Sequence, residues 1–231
     1  MYIFTNYMSL VEWCEATVSR YEYTHYISEF SNSISNLAFI IVSFYSSGKN
    51  PQCDYAICLI GVGSFIFHAT ESYYGQLLDE LPMSLIAYLY YRQLFITSCK
   101  KSGAKSQAFL FLRGYEISLF IVWFVYIRYK LYWLFVSFFA AQLFVPLYIV
   151  SVVLPKTDQQ KFDLAKGAFF AIWAVGCWAY EQYLHSIGQC PTDISDYRFY
   201  LHSYWHIGMA VAHYQFMQCI DQFHKERIRN E

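Results

Sequence analysis

The sequence predicts an all-α fold, a bundle of seven membrane-crossing helices. Three observations lead there. Charged residues make up only 14% of the chain, against roughly 25% in soluble domains. Seven apolar runs follow one another, most of them close to the twenty or so residues a bilayer core requires. The breaks between them are short and rich in breaker or charged residues. Mean hydropathy is a modest +0.25, because the scale penalises tyrosine and the chain carries 23 of them. A soluble helical bundle would need more polar surface than this composition supplies.

Residues 1–31 precede the first run. They lack the basic start and continuous apolar stretch of a cleavable signal and carry Glu12, Glu15, Glu22 and Glu29, so the first span is expected to be the membrane address. Spans are read near 32–46, 53–71, 76–98, 107–127, 131–154, 163–184 and 197–222. The first is short and polar at its start. Gly48 to Pro51 closes it, and Ser72 to Gly75 separates the second from the third. Later breaks fall at Lys100 to Gly103, Arg128 to Lys130, Pro155 to Lys161 and Gly188 to Asp196. No long linker or repeat divides the chain, so residues 1–231 read as one domain. Basic residues set the orientation. One side holds Lys49, Lys100, Lys101, Lys105, Lys156, Lys161, Lys225, Arg227 and Arg229, and the other Arg20, Arg128, Lys130 and Arg198. The richer side is cytosolic, which puts the C-terminus in the cytosol and the N-terminus in a lumen or outside the cell. A net charge of −1 excludes a nucleic-acid partner, since no basic track is left for a phosphate backbone. No obligate protein partner is evident.

Polar residues inside membrane runs are costly and ask for a reason. Ser64 and His68 stand four apart near the end of the second run, on one helix face. Asp79 opens the third. His202 and His206 open the seventh at the i, i+4 spacing that lets two imidazoles share a metal. Helices that alternate in direction bring His68, Asp79, His202 and His206 to similar depth on the N-terminal side. At about 1.5 Å per residue, each sits within roughly 15 Å of its span's end. Three imidazoles with an open fourth position are a recurrent catalytic zinc arrangement. Asp79 is then a general base and Ser64 a hydrogen-bond donor. Taken singly, each has a plainer reading: His68 as a packing residue, Asp79 as a helix cap. The remaining histidines, His25, His185, His213 and His224, read as loop, rim or packing residues. No CxxC pair occurs, and most of the cysteines lie in apolar runs, where they act as small hydrophobes.

Gly61 to His68, Leu77-Leu78-Asp79-Glu80-Leu81-Pro82-Met83 and His202 to His206 together resemble the alkaline ceramidases. That family lies in a wider superfamily of seven-helix hydrolases that includes the adiponectin-type receptors. The resemblance covers nearly the whole chain. It implies a membrane-embedded amide hydrolase of the endoplasmic reticulum or Golgi that cleaves ceramide, a membrane lipid, to a sphingoid base and a fatty acid. It implies zinc on His68, His202 and His206, Asp79 as base, and Ser64 assisting. It also implies calcium near the N-terminus, on Glu12, Trp13 (through its carbonyl), Glu15 and Glu29; Glu12 stands where the family usually has Asp, and its usual Asn has no clear counterpart. The family's disulfide starts at the position of Cys14, and Cys190 is the nearest partner on the same side. The rival reading is a seven-helix receptor or sensor with a structural zinc, which would close the ion with a fourth protein ligand.

Overall fold

The computed structural model describes residues 8–45, 50–99, 105–148 and 157–230. The described chain is helical: α1 Cys14–Ser19, α2 Phe30–Ser35, α3 Leu37–Tyr45, α4 Pro51–Thr70, α5 Tyr73–Cys99, α6 Lys105–Tyr129, α7 Tyr132–Tyr148, α8 Asp158–Ser186 and α9 Leu201–Asn230, with a 3₁₀ turn Tyr197–Tyr200 leading into α9. No strand forms among the described residues. A single bridge pairs Met8 with Ser72.

Local chemistry moves several boundaries from where hydropathy puts them. The first run, read at 32–46, starts at Phe30 and is interrupted at Asn36, which caps α2 before α3 begins. Pro51 starts α4, where its missing N–H costs nothing. That helix stops at Thr70; Glu71, read as part of the span, sits in the left-handed region (φ 47°) as its cap. The sixth span begins at Asp158, not 163, because Thr157 and Gln160 form a capping box. The seventh, read at 197–222, is 3₁₀ over its first four residues and then α-helical to Asn230. Residues 149–154 of the fifth predicted span lie outside the described residues. So do Lys49, Lys100, Lys101 and Lys156, and the side chains of Lys105, Lys225, Arg227, Arg229 and His224.

Pro51–Thr70, Phe109–Tyr129 and Asp158–Ser186 are long and apolar enough to cross a membrane, and Phe30–Tyr45 and Tyr132–Phe144 are shorter apolar helices. The bundle buries many polar side chains beside its apolar core and turns large apolar ones outward. Ser64, Gln76, Asp79, Glu80, Gln142 and Glu181 are buried, while Phe44, Phe120, Phe124, Trp133, Phe169 and Ile172 are each at least 64% exposed. Water does not favour that distribution; lipid does.

The most extensive packing joins α8 to α9 and α4 to α5. Glu71 and Ser72 alone link the latter pair, and the helices touch through backbone at Gly63. A Cβ there would run into the Leu78 carbonyl. The N-terminal segment lies across the same end: Ser9 N–H donates to Glu71 O (3.0 Å), Ser28 N–H to Ala69 O (3.0 Å) and Glu29 N–H to His68 O (3.0 Å).

Candidate metal centre

His68 lies in the last turn of α4, His202 and His206 in the first two turns of α9. Their ring centroids are 4.8 Å (68–202), 4.9 Å (68–206) and 4.6 Å (202–206) apart. One ring nitrogen from each lies within 4.8 Å of the others, and all three residues are buried. Among the described residues this is the one group of three or more His, Cys, Asp or Glu side chains close enough to hold a metal ion.

A polar side chain faces each ring at its Nδ1, with hydrogen bonds at His68 and His206 and proximity alone at His202. Glu29 Oε2 contacts Nδ1 of His68, Ser35 Oγ bonds Nδ1 of His206 (2.7 Å), and Glu181 Oε2 faces Nδ1 of His202 at 3.3 Å. These partners leave the Nε2 atoms for a shared ligand. His68 Nε2 is buried with no partner in the protein, as a ligand atom awaiting a cation would be. Trp13 lies over the His202 ring, 3.7 Å between centroids. An all-imidazole donor set suits zinc among other transition ions.

Asp79 stands at the edge of this group, 9% exposed, and interacts electrostatically with His68. It is not part of the ligand cluster. Ser64 Oγ is buried beside Asp79, without a hydrogen bond of regular geometry. Asp79 lines both of two cavities of about 110 Å³ each, as do Met83, Phe139, Leu143 and Trp205. One runs past His206 along α9 to His213. The other passes His202 and Trp13 toward Tyr132 and Phe144. Both are lined chiefly by apolar side chains.

Of the residues expected to hold calcium, Glu12 and Glu15 each interact electrostatically with Glu29. Glu12 reaches Arg20 (3.4 Å) and is half exposed. The Trp13 carbonyl accepts from Thr17 N–H (3.2 Å) and Thr17 Oγ (3.2 Å). Glu15 caps α2, accepting from the N–H groups of Ser31 (2.7 Å) and Asn32 (2.8 Å). Glu29 is committed to His68 and Asn32. Burial raises the carboxyls of both Glu15 and Glu29 above the ordinary range.

Cys14 and Cys190 form a disulfide, tying α1 to the segment before α9. Glu181 joins the same unit, since its Oε1 accepts the Cys14 N–H (3.1 Å). Reading the sequence alone missed Glu181, Ser35 and the Glu29–His68 contact. A glutamate inside the sixth apolar run was the available signal for the first. His213, expected among the loop, rim or packing residues, is buried against Tyr90 and lines a cavity.

The chain matches the sequence model of a family described as Ceramidase over residues 5–231. It is 28% identical over 236 residues to an alkaline ceramidase of Drosophila melanogaster, covering 94% of this chain and 78% of that protein. With alkaline ceramidase 1 of Homo sapiens it shares 27% over 228 residues, 91% of this chain and 81% of the other. A shorter, stronger match, 42% over 84 residues, is to the alkaline ceramidase YPC1 of Saccharomyces cerevisiae. It covers 32% of this chain and 26% of the yeast protein.

Proposed function

The chain belongs to the ceramidase family, and from that premise we propose that it hydrolyses the amide bond of ceramide, giving a sphingoid base and a fatty acid. The observation that carries this reading is the buried set of three imidazoles, with no fourth His, Cys, Asp or Glu in the cluster among the described residues, beside a carboxylate that lines two apolar cavities. A two-chain amide lipid would set its polar linkage at Asp79 and a chain in each cavity. A receptor or sensor with a structural zinc would favour a closed site instead, and Asp79 is not in the ligand cluster.

His68, His202 and His206 would hold zinc through Nε2. When bound, the ion supplies Lewis acidity toward the amide carbonyl and lowers the pKa of a water toward about 7. Asp79 removes a proton from the attacking water and returns it to the departing amine as the C–N bond breaks. Ser64 donates its hydroxyl hydrogen to the carbonyl oxygen as charge builds there. The apolar cavity walls keep other water away and hold both chains in hydrocarbon surroundings. Seven spans in one domain, residues 1–231, form part of the same proposal, with the metal centre at the lumenal end. The disulfide supports that orientation, because such bonds persist in oxidising compartments. An endoplasmic reticulum or Golgi membrane meets the condition.

Asp79→Asn is expected to lose about 10²–10⁴-fold in turnover while one zinc per chain remains by elemental analysis. His68→Ala, or a chelator, is expected to remove zinc and turnover together. Undiminished ceramide hydrolysis in the Asp79→Asn protein rules out its role as base. Hydrolysis that persists in metal-free protein rules out the metal reading.

A further inference from the structure

The cavity lined by Asp79 and His206 is not walled by apolar side chains alone. Two turns further along α9 it is lined by His213, beside Tyr90 of α5. His213 is 5% exposed. The Tyr90 hydroxyl contacts its Nδ1, and its Nε2 has no hydrogen-bond partner. The Tyr90 ring packs edge-on against Phe216, 4.8 Å between centroids, so the pair is held in place. A neutral imidazole has one donor and one acceptor nitrogen. With Tyr90 donating to Nδ1, Nε2–H is the donor left over. Burying such a group unpaired is costly.

A lone water is a poor answer to that need. Buried waters make about three hydrogen bonds, and Ile57, Ile60, Ile86 and Leu164 give none. An oxygen fixed on an otherwise apolar chain meets the need without stranding a water. We propose that His213 and Tyr90 form a chain-reading site, selecting a lipid chain that bears a hydroxyl roughly 10 Å from the amide, the rise of seven helical residues from His206 to His213. This rests on the reading of the chain as a ceramide hydrolase and adds a substrate preference to it.

Three ceramides of equal length decide the matter: one plain, one with that hydroxyl on the acyl chain, one with it on the sphingoid chain. Their binding is read by displacement of a fluorescent ceramide from detergent-solubilised protein. One of the hydroxylated lipids is expected to bind roughly tenfold tighter than the plain one, the share of a single neutral hydrogen bond. In His213→Phe that ratio is expected to fall to about one. A ratio taken within one sample does not depend on how much protein is folded. The proposal is overturned if neither hydroxylated lipid binds better than the plain one, or if the preference survives in His213→Phe. Turnover of the plain lipid, measured alongside, separates the two readings. Binding preference without turnover counts against amide hydrolysis alone, and turnover without preference counts against His213 alone.

Discussion

Three side chains that face no substrate decide which nitrogen each imidazole presents. Glu29, Glu181 and Ser35 occupy the Nδ1 sides of His68, His202 and His206. Such partners fix ring orientation and tautomer, and losing one typically weakens metal binding by about 10–100-fold. Glu181→Ala is therefore expected to weaken zinc affinity by that factor, measured by competition with a chromophoric chelator, with Glu181→Gln losing less because it keeps an acceptor. Unchanged affinity in both would mean that α9 alone orients His202. The three imidazoles and the carboxylate beside them were legible in the sequence: His68, Asp79, His202 and His206 interrupt apolar runs, and alternating helices carry them to one depth. Their partners were not. Whether a carboxylate meets Nδ1 depends on how residues 8–29 fold back across α4 and on how α8 is rotated, and no spacing encodes either. The same fold-back sets the partners of the residues expected to hold calcium. Arg20 engages Glu12, and the α2 N-terminus takes up Glu15.

Helix packing carries the same logic one level up. Close approach of α4 and α5 at Gly63 sets how far Asp79 stands from His68. Gly63→Ala forces the Leu78 backbone away. It is expected to cost about 1–3 kcal/mol as overpacking and to lower turnover, read by thermal melts and a ceramide assay on the same preparation. A protein of native stability and activity would show that the hairpin yields freely. Helix existence was readable from hydropathy; helix ends were not, because they are set by caps such as Thr157 and by the left-handed Glu71. The joint between α1 and α2 brings a pH dependence. Burial lifts the Glu15 carboxyl above 4.5, and the N–H groups of Ser31 and Asn32 offset this only in part. A raised carboxyl favours the folded state while protonated. Its contribution is complete below 4.5 and is lost as pH climbs through the raised value. The Tm is thus expected to fall more steeply with rising pH in the native protein than in Glu15→Gln. Parallel slopes would take Glu15 out of the account.

Across the whole molecule, one end gathers everything the proposed chemistry uses. The Cys14–Cys190 disulfide closes a loop of 176 residues there, and its loss by Cys14→Ser is expected to cost about 2–5 kcal/mol. The same pair reports orientation. In sealed vesicles of native orientation, a membrane-impermeant maleimide should label Cys14 only after reduction and only from the lumenal side; labelling from the cytosolic side would invert the proposed topology. The centre draws on residues from 29 to 206, so it exists in no shorter stretch of the chain. A nascent polypeptide that has inserted its first five or six helices holds His68 but neither of the other two ligands. On the proposed reading, metal capture follows insertion of α9, which makes it a late step of biogenesis. Any arrest before that point leaves an inert precursor in the membrane, not a partly active hydrolase.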